Sequence, residues 1–157
     1  MRKTLLFLMG IFSFVFLQAQ TVVFSETFEG STLQVTSSTT NTGTPPNAWA
    51  LSSNLHYQGA KSDSCVVTSG DTTWLTTNSF STTGNSFVML EFAQICKIDF
   101  GDKAIVEVSG DNGVTWTKLV ASQYLGSGQF ANNGNAFNEV SYVTDWSAGS
   151  NVTPTNT

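Results

Sequence analysis

The sequence predicts an all-β fold built as an antiparallel sandwich, and three observations point there. Charged residues make up only 11% of the chain, Gly numbers 13, and Ser, Thr and Asn are abundant, which suits a β-rich extracellular protein better than a helical one. Several segments alternate apolar and polar residues with the period of a half-buried strand, and no helical stripe follows residue 20. Asn112-Gly113 stands between two such runs, and both residues tolerate the positive φ that a tight hairpin requires.

Residues 1–20, MRKTLLFLMGIFSFVFLQAQ, read as a secretory signal peptide. Arg2 and Lys3 form a basic start, Leu5 to Leu17 are almost wholly apolar, and small Ala19 precedes Gln20. The run is short for a membrane-spanning helix, and the mature chain has no comparable apolar segment, so no transmembrane span is expected there. Removing Arg2 and Lys3 leaves four lysines against 11 acidic residues, a net charge of −7 with no arginine. Such a surface repels phosphate, so nucleic acid is excluded as a partner. Residues 21–157 are long enough for one domain with a core.

The strands follow in order. Val22, Phe24, Glu26 and Phe28 share one face of a first strand that Gly30 stops. Pro45-Pro46 fix an extended turn that delivers Trp49 inward. A strand runs around Cys65 to Val67, and Trp74 and Leu75 open the next. Asn85 to Phe100 is the most apolar mature segment, with Val88, Leu90 and Phe92 on one face and Met89, Glu91 and Ala93 on the other, and is expected as a central strand. Two alternating runs then flank Asn112-Gly113. Glu139 to Val143 is the one strand expected after the hairpin, and no later segment can pair with the first strand, which predicts a fragment of a longer precursor. The core expected from these faces is Phe24, Phe28, Trp49, Leu90, Phe92, Val106, Val108 and Trp116. Cys65 and Cys96 either pair, closing a loop worth roughly 3–4 kcal/mol, or stay as buried thiols.

Ser109 to Trp116 spells Ser-x-Asp-x-Gly-x-Thr-Trp, the pattern called the Asp-box. Asp111 can accept hydrogen bonds across the turn, Gly113 supplies a left-handed residue, and Trp116 can cover the base of the hairpin. All three roles are structural. Sialidases, which also carry the box, clamp a substrate carboxylate with arginines, and the mature chain has none. The single histidine, His56, has no Cys or second His at ligand spacing. Glu91, Asp102 and Glu107 could lie near one another as a hydrolytic carboxylate set, but nothing distinguishes them from ordinary strand residues. No catalytic or cofactor-binding residue is therefore assigned.

Taken together, FSETFEG, TPPNAWAL, GAKSDSCVV, DTTWLTTNSFSTTGNSFVMLEF and DKAIVEVSGDNGVTW resemble segments of secreted jelly-roll modules of the MAM, cleaved-adhesin and reelin-repeat type. Thr77-Asn78 departs from the Thr-Pro of that pattern, and part of the closing strands is missing. The resemblance implies an antiparallel jelly-roll β-sandwich, incomplete at the C-terminus. It also implies a secreted or cell-surface location in a multidomain bacterial protein, whose further domains would follow Thr157. The function it implies is non-catalytic adhesion, through binding of an extracellular glycan or protein. The alternative is an accessory domain of a secreted protease or glycosidase. Related jelly rolls carry a structural calcium ion near the first strand, which makes Glu29 and Asp63, then Glu26, the candidate metal ligands. An acidic chain rich in Thr and Asn can supply the oxygens that calcium prefers. Otherwise all three are solvated surface carboxylates.

Overall fold

A computed structural model describes residues 20–43, 47–54, 56–68, 70–96, 98, 101–126 and 135–138. The signal segment up to Ala19, Pro45-Pro46 and the strand expected over Glu139 to Val143 lie outside the described residues. The fold is all-β and antiparallel, with three two-stranded ribbons, one 3-10 turn at Ala121–Gln123 and no α-helix among the described residues. None of the described helices is long and apolar enough to cross a membrane.

Strand β1 (Val35–Thr39) pairs with β4 (Thr73–Thr77), Ser38 facing Trp74 and Thr36 facing Thr76. Both strands are rich in β-branched residues, which fit a pleated surface. The ladder runs one residue further at each end: the Thr40 N–H donates to the Thr72 carbonyl (2.8 Å) and the Asn78 N–H to the Gln34 carbonyl (2.7 Å). A polar clasp closes one end. Asn41 Nδ2 donates to Asp71 (2.6 Å), Thr68 Oγ1 also bonds Asp71, and Asn47 Nδ2 donates to Thr68 Oγ1 (2.9 Å). Thr68, then Asn41, hold the Asp71 carboxyl below the usual aspartate range.

Strand β2 (Ala50–Ser52) pairs with β3 (Ser62–Ser64), so this hairpin lies inside the sequence interval that β1 and β4 close. Strand β5 (Glu107–Val108) pairs with β6 (Thr117–Lys118) beneath the Ser109 to Trp116 loop. The core is small. Phe137 is 1% exposed and packs with buried Cys96, against Ile98, Ala104, Val106 and Tyr124. An isolated bridge between Ala104 and Phe137 ties this cluster to the chain leading into β5, with both N–H···O bonds at 2.8 Å.

Several expectations need correction. Val22 to Phe28 forms no strand, because Glu26 takes the Phe28 amide and Phe28 turns left-handed at φ 62°. Phe24 instead stacks on Phe80 with ring centroids 4.9 Å apart. Phe87 to Ala93 pairs with no described strand, and Leu90 (56% exposed) and Phe92 face solvent. Its alternation defines two faces, but no described element covers either. Val108 and Trp116 are also exposed, while Val106, Trp49, Phe24 and Phe28 are half-buried. The third strand falls on Ser62–Ser64 rather than Cys65 to Val67. Cys65 and Cys96 are free thiols, and burial pushes each up to about 11. Cys65 adds to the shift at Cys96. At neutral pH both therefore stay protonated and weakly reactive.

Candidate functional site

A cleft of about 490 Å³ lies between the β1–β4 ribbon and the β5–β6 hairpin, lined by Trp49, Trp74, Trp116, Lys103 and Glu107 among others. Trp74 stands on β4, where the two-residue period places it beside Ser38 and on the same face as Thr36 and Thr76. It is 42% exposed. Trp49 is tied to β1, its backbone N–H donating to Ser37 Oγ (2.9 Å). The Trp49 indole N–H is buried without an acceptor.

Trp116 arrives from the hairpin loop, whose geometry is set by side chains. The Thr115 N–H and hydroxyl donate to the two oxygens of Asp111 at 2.8 and 2.6 Å. The Ser109 hydroxyl donates to Asp111 Oδ1 (2.8 Å) and accepts from the Gly113 N–H (2.7 Å). Asn112 and Gly113 adopt φ of 61° and 85°, which lets the chain reverse. Trp116 Nε1 then donates to the Gly113 carbonyl (3.1 Å), fixing the indole across the loop. The box thus acts as a brace that presents Trp116, 47% exposed, at the cleft. Hydrogen bonds from Thr115, then Ser109, bring the Asp111 carboxyl down to about 2.

The candidate metal ligands are placed as follows. Glu26 accepts the Phe28 and Gln34 amides, both at 2.6 Å, and its carboxyl is lowered chiefly by the Gln34 bond. Glu29 Oε1 accepts the Ala60 and Lys61 amides at 2.7 and 2.8 Å, which hold its carboxyl down and fill that oxygen. Asp63, on β3, has one buried oxygen, Oδ1, without a partner. Burial raises its carboxyl, and the negative charge of Glu26 adds to the shift. Glu26 and Asp63 are thus electrostatic neighbours, and both glutamates fasten backbone amides, Glu26 through both oxygens and Glu29 through Oε1. No group of three or more His, Cys, Asp or Glu converges to hold a metal among the described residues. Two carboxylates fit a calcium ion only if backbone or hydroxyl oxygens complete the shell.

His56, Glu91 and Asp102 are exposed, and Glu107 alone of the carboxylates considered for hydrolysis lines the cleft. The cleft was not foreseeable as a site because its tryptophans come from three separate segments. One local signal was available: in Thr73–Thr77, Thr-Trp-Leu-Thr-Thr, the indole shares its face with hydroxyls rather than aliphatic side chains. Compared with protein-family models, curated proteins and solved structures, the chain matches none of them, so what the site can do follows from its own chemistry.

Proposed function

We propose that the chain is a non-catalytic adhesion module of jelly-roll type, secreted as part of a larger bacterial surface protein, which binds an extracellular glycan or protein. One observation carries this function: half-exposed Trp74, from the β1–β4 ribbon, and Trp116, from the hairpin loop, line a single cleft. Half-exposed tryptophans beside polar groups suit recognition, since each offers a broad apolar face and an N–H. The test is immobilisation of the purified chain and measurement of binding to soluble polysaccharides and to extracellular matrix proteins. Saturable binding to either class is expected, and the absence of both removes the adhesion function.

Calcium, as a structural ion, would be held by Asp63 together with Glu29 or Glu26 and oxygens from the neighbouring backbone. The unpartnered Asp63 Oδ1 supports this. A bound ion stabilises the folded chain by linkage. A melt in millimolar calcium should therefore exceed one in chelator, and Asp63→Asn should abolish the difference. Identical curves for the wild-type chain would eliminate the ion.

A further inference from the structure

The cleft has features that select among ligand classes, and we infer that it takes a neutral polysaccharide of pyranose units, stacked on Trp74 and Trp116. This inference rests on the adhesion function proposed above and narrows it. The face of the β1–β4 ribbon around Trp74 carries Thr36, Ser38 and Thr76. A protein partner inserting an apolar side chain there would bury hydroxyls against hydrocarbon, at roughly 1–3 kcal/mol for each one left without a partner. A sugar ring brings its own donors and acceptors to the same hydroxyls. Its C–H face meanwhile lies on an indole, whose ring face is electron-rich.

Charge points the same way. Lys103 and Glu107 line the cleft together, one cation and one carboxylate, within a mature chain of net charge −7. A polyanionic glycan would meet repulsion from the chain as a whole, with only Lys103 in the cleft to offset it. Size agrees as well: about 490 Å³ falls within the roughly 300–1,000 Å³ of small-ligand sites. The buried Trp49 indole N–H leaves an unmet donor in the wall, which a small shift would offer to a ligand hydroxyl.

Affinity electrophoresis of the whole chain tests this, in gels containing hydroxyethylcellulose, xyloglucan, mannan or pullulan and, separately, polygalacturonate. Retardation by at least one neutral polymer is expected, with a change in tryptophan fluorescence. Trp74→Ala should weaken binding at least tenfold and Trp74→Phe less, while Phe87→Ala, away from the cleft, leaves it unchanged. A melt accompanies each variant. Thr76→Val, which keeps the side-chain volume, should weaken binding several-fold even if Trp74→Ala proves unstable. Retardation by none of the neutral polymers, retardation by polygalacturonate alone, or binding that survives both Trp74→Ala and Thr76→Val overturns the inference. Binding to matrix protein without polysaccharide overturns it too but leaves the adhesion function standing, whereas binding to neither ends both.

Discussion

Asp111 is fully exposed, yet its carboxyl sits near 2 because Thr115 and Ser109 bond the ionised form. A depressed carboxyl contributes stability above its unfolded value and loses it as pH falls through its folded one. The hairpin should therefore weaken between the ordinary aspartate value of 3.8 and about 2. Acid titration of the melting temperature should show a loss in that window, and Asp111→Asn should lower the neutral-pH melt and make the loss smaller, the depressed Asp71, Glu26 and Glu29 supplying the rest. Trp116→Ala removes an indole that is 47% exposed, so a loss of about 2 kcal/mol is expected rather than the roughly 3–5 kcal/mol of a buried tryptophan. Glycines give a third contrast. Gly59 and Gly84 have φ of 73° and 86°, but only Gly59 has the Glu29 carboxylate against its α-carbon. Gly59→Ala should lower the melting temperature more than Gly84→Ala, because it also displaces Glu29 from the Ala60 and Lys61 amides.

Among the elements, the β5–β6 hairpin was the most legible, because Asn112-Gly113 encodes its turn within a few residues. The strand at Trp74 and Leu75 was legible for the same local reason, being a short β-branched run. Val22 to Phe28 alternates and Phe87 to Ala93 is almost continuously apolar, yet neither forms a described strand, since a strand exists only where a partner accepts its backbone. Phe137 shows the converse. It lies between Ala136 and Asn138 with no apolar run around it, yet it is the most buried large apolar residue described. Tyr124 meets its ring edge-on at 5.5 Å. Phe137→Ala should lower stability by about 3–5 kcal/mol, well beyond the effect of Leu90→Ala at an exposed position. Chemical denaturation of the two variants measures the difference.

At the scale of the whole molecule, composition anticipated the all-β antiparallel class, because the Gly, Ser, Thr and Asn content biases every segment alike. What brings Trp49, Trp74 and Trp116 to one cleft could not be read, since it depends on how a ribbon and a hairpin meet. The placement of Glu26 beside Asp63, with Glu29 bonded at the Ala60 loop, is of the same kind. Periodicity specifies which side of a strand a residue occupies, whereas long-range contacts decide what lies opposite.

Enclosing the β2–β3 hairpin within the interval that β1 and β4 close has a kinetic consequence. Joining Thr39 to Thr73 from an open chain requires the whole intervening stretch to be drawn in as one loop. If Ser52 and Ser62 meet first and the β2–β3 hairpin zips up, nearly half of that stretch is already gathered and the remaining closure is shorter. The saving is roughly 0.5 kcal/mol, since each doubling of loop length costs about 0.6 kcal/mol. The inner hairpin then belongs to the transition state and the outer ribbon forms after it. Substitutions at Leu51 should slow refolding, while those at Leu75 should mainly quicken unfolding, and the two limbs of a chevron would separate them.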